Sequence, residues 1–271
     1  MGSNPTRSAT LKNALIKQEE ENLITEQKKQ TIKLVIAIVV LVLILSLVGI
    51  AMIIYEVEGE TNMPFQLSKI VVIGTAEGVE KEEGEEQWNF NIYQNNDVYF
   101  YIDENKEKNK EEDLLIKNVK ISNIQITKEP QKGTIKAYMP NSEAGRLYSY
   151  DEQFIVEEKL EYKGASQSSS TDLEIGSKGG TLLIRFSNTD IANYTSDKDE
   201  EIVHDGTWLT KLELEKEEVQ FTVTFDLTIE TTKNKYQAEI TLEMPTGNLQ
   251  EEGNCYLEKT DMDDIVFKRV K

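Results

Sequence analysis

Trp88-Asn89-Phe90-Asn91-Ile92-Tyr93, followed shortly by Val98-Tyr99-Phe100-Tyr101-Ile102, decides the fold class. Apolar side chains recur at every second position, the period of a strand with one buried face. Val98, Phe100 and Ile102 fall on one side and Tyr99 and Tyr101 on the other. Similar runs occupy Ile70 to Ile73, Val119 to Ile126, Thr134 to Tyr138, Phe154 to Leu160, Leu182 to Phe186, Gln220 to Glu230 and Tyr236 to Glu243. They are rich in Val, Ile, Thr, Tyr and Phe and are bounded by Asn, Asp, Gly and Pro clusters. No comparable helical period appears among them. The expected fold is all-β, antiparallel and sandwich-like.

Three short echoes suggest a tandem duplication. Ile73-Gly74-Thr75-Ala76-Glu77-Gly78 matches Ile175-Gly176-Ser177-Lys178-Gly179-Gly180. Tyr93-Gln94-Asn95-Asn96-Asp97-Val98 matches Phe186-Ser187-Asn188-Thr189-Asp190-Ile191. Ile135 to Pro140 matches Ile240 to Pro245, and the three pairs keep their order at offsets of 102, 93 and 105. Insertions such as the acidic stretch Val79 to Gln87 would absorb the drift. The resulting division is a first β-unit over 63–162, a linker over 163–169 containing Gly164-Ala165-Ser166-Gln167-Ser168-Ser169, and a second β-unit over 170–271. One sandwich assembled from both halves fits the same pattern.

Toward the N-terminus the period changes. Leu34 to Ile54, LVIAIVVLVLILSLVGIAMII, holds 21 residues without a charge. As a helix it would extend roughly 31 Å, enough for a hydrocarbon core of about 30 Å. It has no polar face, unlike a surface helix of a soluble domain. Residues 34–55 are therefore expected to be a single transmembrane helix in the lipid bilayer. Lys17, Lys28, Lys29 and Lys33 precede it, whereas Glu56, Glu58 and Glu60 follow. This asymmetry predicts a cytoplasmic N-terminus and an extracellular C-terminus at the cell membrane. A cleaved signal peptide fits less well, because 33 residues precede the run and no A-x-A site follows it. Residues 1–33 form the expected cytoplasmic tail, with a juxtamembrane helix over Leu11 to Lys33. Ile16, Leu23 and Gln30 are heptad-spaced, a register compatible with homo-oligomerisation but too short to define a coiled coil.

The chain is strongly acidic, with net charge −19; only 6 of its 30 Lys and Arg and 4 of its 49 Asp and Glu lie before residue 34. Such a surface argues against nucleic acid as a partner and suits a cation or a basic protein. One cysteine, Cys255, excludes an internal disulfide, and one histidine, His204, excludes a Cys/His zinc cluster. No nucleophile elbow, phosphate loop or dinucleotide fingerprint occurs. His204, beside Asp205-Gly206, reads as a turn residue rather than a catalytic base.

Calcium needs clustered oxygens. Asp261, Asp263 and Asp264 are the best candidates, with Asp197, Asp199, Glu200 and Glu201 second, but neither group has the spacing of a calcium loop. The Asn-x-Asp pairs, Asn95 with Asp97 and Asn188 with Asp190, read as hairpin corners stabilised by their own side chains. Tyr93, Tyr99, Tyr101, Tyr148, Tyr150, Trp88 and Trp208 could form a binding face, although aromatics in a β-domain more often serve the core. The expectation is a non-enzymatic, single-pass surface protein without a cofactor, whose acidic β-module serves structural or protein-interaction roles such as adhesion, envelope architecture or membrane-complex assembly. Its partner is an unidentified protein outside the cell. A cation- or ligand-binding sensory ectodomain is the first alternative, and an extracellular hydrolase the second.

Overall fold

The computed structural model describes residues 26, 28–52, 63–83, 87–109, 114–141, 147–199 and 206–270. Most of the expected tail and its juxtamembrane helix, together with Glu200, Glu201 and His204, lies outside these residues. The chain divides into two compact units, Met1–Tyr55 and Glu56–Lys271.

Among its described residues the first unit has one helix, α1, over Lys28–Met52. Its 25 residues would extend about 37 Å, so it is long and apolar enough to cross a bilayer. Apolar side chains are exposed along its length, from Ile32 to Met52. Its one hydroxyl in the apolar run, Ser46 Oγ, donates to the Val42 carbonyl at 2.8 Å, so it needs no outside partner.

The second unit is built from strands. In chain order these are β1 (Phe65–Glu83), β2 (Gln87–Glu104), β3 (Ile116–Lys128), β4 (Thr134–Tyr138), β5 (Lys159–Gly164) and β6 (Glu174–Ile175). They continue as β7 (Gly179–Asp197), β8 (Thr222–Thr231), β9 (Lys235–Glu243), β10 (Asn254–Lys259) and β11 (Lys268–Val270). One sheet has the order β10-β1-β2-β7-β4 and the other β11-β9-β8-β3-β5-β6. All pairings are antiparallel except β5 with β6. The described residues of this unit also form three one-turn helices, α2 (Trp208–Lys211), α3 (Lys216–Val219) and α4 (Leu249–Glu252). Each is too short to leave a period in the sequence.

The two sheets share a core. Phe100 and Phe186 of the first sheet meet Phe225 of the second, at centroid separations of 5.6 and 6.2 Å. Around them Ile70, Val72, Val98, Ile102, Leu182 and Ile184 face Val119, Ile121, Val223, Leu227 and Ile229. Burying each side chain of this size contributes roughly 1.5–3 kcal/mol before entropy is counted. The alternation in Val98 to Ile102 thus points as the sequence requires: Val98, Phe100 and Ile102 are fully buried, while Tyr99 and Tyr101 lie on the outer face and are half-buried.

β1, β2 and β7 are 18 or 19 residues long, and they outrun the second sheet. Their far ends carry a separate core, in which Ala76, Phe90, Ile92 and Ile191 pack under Trp208, Leu209, Leu214, Val219 and Leu249. Trp208 lies 5.6 Å from Phe90 and 5.4 Å from Tyr194, centroid to centroid. A Cβ on Gly78 would come within 2.6 Å of the Trp208 ring, so glycine lets the indole lie on the strand.

Several sequence expectations change. β2 from 63–162 pairs with β7 from 170–271, and β3 pairs with β8. The two ranges therefore contribute to common sheets, the single-sandwich arrangement rather than two separate β-units. The three echoes fall on β1 and the β6–β7 turn, on β2 and β7, and on β4 and β9. Val79 to Glu83 belong to β1 and Gln87 to β2, in a hairpin ladder paired from Phe65↔Glu104 to Glu83↔Trp88. Phe154 to Leu160 is not one strand, because a 3-10 turn at Glu152–Phe154 precedes β5.

Candidate functional site

Both Asn-x-Asp pairs lie inside strands rather than at corners. β2 and β7 run side by side through them, with Gln94↔Asn188, Asn95↔Ser187, Asn96↔Phe186 and Asp97↔Arg185 in register. Hydrogen bonding to the neighbouring strand replaces the local bonds that a turn would have offered these side chains. The register shifts just beyond, between Ile92 and Gln94, where Asp190 adopts φ 58°. The result is a polar band across the first sheet.

On the outer face this band meets the segment after β4. Met139 N–H donates to the Phe154 carbonyl at 2.9 Å, Val156 N–H to Ala137 at 2.8 Å and Asn141 N–H to Leu147 at 2.7 Å. These bonds fold the segment back and set Tyr148 and Tyr150 against the sheet. Arg185 and Asp97 join through two hydrogen bonds, Nε to Oδ1 at 2.6 Å and Nη2 to Oδ2 at 2.9 Å. Their side chains are only 15% and 17% exposed. The Tyr148 ring covers the guanidinium, with 4.3 Å between its centroid and Cζ, a cation–π geometry.

Next to this pair, Glu77 Oε2 accepts from Tyr150 Oη and from Asn95 Nδ2, both at 2.8 Å. Asn95 Nδ2 also reaches Tyr150 Oη at 2.7 Å, and Ser187 Oγ donates to Asn95 Oδ1 at 2.7 Å. Tyr150 stands edge-on to Tyr93 and Tyr138, with centroids 4.8 and 5.7 Å away. Glu77, Leu147, Tyr148, Ser149, Tyr150, Asp151 and Arg185 line a half-open cleft of about 560 Å³.

The electrostatics follow from this packing. Burial, together with the Asp97 charge, pushes the Tyr148 phenol well above its usual value. Burial and then Glu77 do the same for Tyr150, and burial raises Tyr138 to about 12. These phenols are neutral donors and acceptors at physiological pH. Burial opposes the Arg185 charge, but the bonds to Asp97 more than offset it and hold the guanidinium charged. The cleft presents the carboxylates of Glu77 and Asp151 between tyrosine walls, while the positive charge of Arg185 is neutralised by Asp97. Such a surface favours cationic groups. Neither serine near it is activated for attack: Ser187 Oγ is bound to an amide oxygen, and Ser149 Oγ accepts the Asp151 N–H at 3.2 Å.

The calcium candidates lie elsewhere. Asp264 pairs with Lys259 at 2.7 Å, and Asp261 Oδ1 accepts the Asp263 N–H at 3.0 Å, a local turn bond. Asp263 lines a different cleft, of about 410 Å³, with mainly apolar neighbours including Met63, Leu67 and Phe267. Among the described residues no group of three or more His, Cys, Asp or Glu side chains is placed to hold a metal ion. Of the aromatic candidates, Tyr93, Tyr148 and Tyr150 join the outer cluster, Tyr101 lies under Lys69 Nζ at 4.5 Å, and Trp208 serves the second core.

Comparison of the chain with protein-family models, with curated proteins and with solved structures finds no match. The cleft therefore rests on its own geometry. Glu77, Asp97, Asn95 and Arg185 were not singled out as a site from sequence. A signal was present: Arg185 interrupts the apolar run Leu182-Leu183-Ile184-Arg185-Phe186 and is one of only four arginines. A charge in a half-buried strand calls for a partner on the neighbouring strand.

Proposed function

We propose that this chain is a single-pass, membrane-anchored surface protein whose acidic β-sandwich binds a basic protein partner and catalyses no reaction. The observation that carries the binding reading is the Glu77 carboxylate. One of its oxygens is fixed by Tyr150 and Asn95, while the residue lines an aromatic-walled cleft. Two donors on Oε2 orient the group and leave Oε1 for an incoming ammonium or guanidinium. Net charge −19 would steer such a partner toward the module. The length of α1 supports the anchor, and the lysines before its apolar run and the glutamates after that run support a cytoplasmic N-terminus and extracellular C-terminus.

Binding is tested with full-length protein in lipid nanodiscs, titrated with a lysine-rich peptide and a glutamate-rich control. Saturable binding of the lysine-rich peptide alone, weakened at least about tenfold by Glu77→Gln, is expected. Equal binding by the variant would remove the cleft from the interaction. A C-terminal epitope digested by protease on intact cells would support the topology, and protection until permeabilisation would reverse it.

A further inference from the structure

The inner side of the polar band points to a second site. Gln94 and Asn96 follow Ile92 on the core-facing side of β2, and Gln94 stands opposite Asn188 of β7. All three amides are fully buried. They separate the two cores: Val72, Val98 and Phe186 belong to the sandwich core, whereas Ala76, Ile92 and Ile191 belong to the core under Trp208. On β1 the residues opposite Asn96 and Gln94 are Gly74 and Ala76, and Cys255 Sγ and Asn96 Oδ1 pack over Gly74, where a Cβ would lie 2.2 and 3.2 Å from them.

Five atoms of these amides have no hydrogen-bond partner within the protein: both polar atoms of Gln94, both of Asn96, and Asn188 Oδ1. Asn188 Nδ2 donates one of its two N–H bonds to the Lys132 carbonyl at 2.8 Å, while its Oδ1 accepts from no protein donor. Isolation in an apolar setting would impose the full desolvation penalty on each atom. A partner must therefore supply both donors and acceptors. A bare cation would serve the three oxygens but be repelled by the two NH2 groups, and an apolar molecule would serve none. Water does both.

We propose that Gln94, Asn96 and Asn188 form an internal water-binding site, an ordered cluster that bridges the three amides and divides the sandwich core from the helix-capped core. The chemical class of ligand is a small neutral molecule that donates and accepts, and water is the occupant. This inference is independent of the cleft on the outer face.

A high-resolution crystal structure of the full-length protein tests it directly. Water density is expected within about 2.7–3.2 Å of at least three of the five atoms. Amides bonded to one another with no such density would overturn the proposal. Thermal melting of Gln94→Met and Asn96→Leu in nanodiscs provides the second measurement. Each variant is expected to lower Tm, because the remaining amides lose a bridged partner. A raised or unchanged Tm would overturn it by showing that the amides are better replaced. A Tm that changes between sodium and potassium salts at equal ionic strength would overturn it in favour of a bound cation. If a variant fails to fold, the wild-type density decides.

Discussion

Arg185 and Asp97 stand directly opposite one another on β7 and β2 and are joined by two hydrogen bonds of 2.6 and 2.9 Å beneath the ring of Tyr148. This pair anchors the polar band to the segment that walls the cleft. Breaking it from one side leaves a largely buried charge without its partner. Arg185→Met is expected to lower stability by about 3 kcal/mol, whereas Asp97→Leu/Arg185→Met together should recover at least half of that loss. Chemical denaturation of the two variants and of Asp97→Leu closes the cycle. Additive losses would show that the pair is not coupled.

Gly74 makes room for Cys255. A Cβ there would lie 2.2 Å from Cys255 Sγ and 3.2 Å from Asn96 Oδ1. Cys255 Sγ is itself held by the Pro245 carbonyl at 3.0 Å. Gly74→Ala should therefore cost about 2 kcal/mol by overpacking. Combining it with Cys255→Ala removes the nearer obstacle and should restore part of the loss, read as a rise in Tm over the single variant.

Tyr162 closes an open edge of β7. Its hydroxyl donates to the Leu183 carbonyl at 2.7 Å and accepts the Leu183 N–H at 3.1 Å, where β4 does not reach. Tyr162→Phe keeps the ring and leaves both backbone groups without that partner, so a loss of about 2 kcal/mol is expected. An unchanged denaturation midpoint would show that these groups find other partners.

Alkaline pH should unfold the sandwich. Burial raises Tyr138 to about 12 and holds Tyr148, Tyr150 and Tyr162 above their usual range. A phenol ionises near 10 in the unfolded chain. The folded state therefore keeps more protons above that pH, and stability falls as pH rises from about 10. Burial also raises Cys255 to about 11, which adds loss from about pH 8.5 upward. Tm measured between pH 7 and 11 should decline across this range, with absorbance at 295 nm reporting the tyrosines. A flat profile through pH 11 would contradict the assigned burial.

Much of the architecture was legible because it rests on local rules. The alternation through Val98 to Ile102 specified a buried and an outward face, and twenty-one uncharged apolar residues specified a helix of membrane-spanning length. Both signals are periodic, and periodicity survives in a single sequence. The polar band was not legible. Asn95-Asn96-Asp97 and Asn188-Thr189-Asp190 have turn composition, and only pairing between β2 and β7, about ninety residues apart, turns them into mid-strand partners.

The sequence by itself therefore determined the β-rich class of the chain, the membrane-spanning length of its apolar helix and the net charge, because composition and period act locally. The tertiary structure decided which strands share a sheet, that 63–162 and 170–271 interleave, and that Glu77, Tyr150 and Arg185 line one cleft with Asp97 bonded to Arg185. The physical reason is the long β ladder. Its register places residues far apart in the chain side by side, and no local pattern records which strand will be the neighbour.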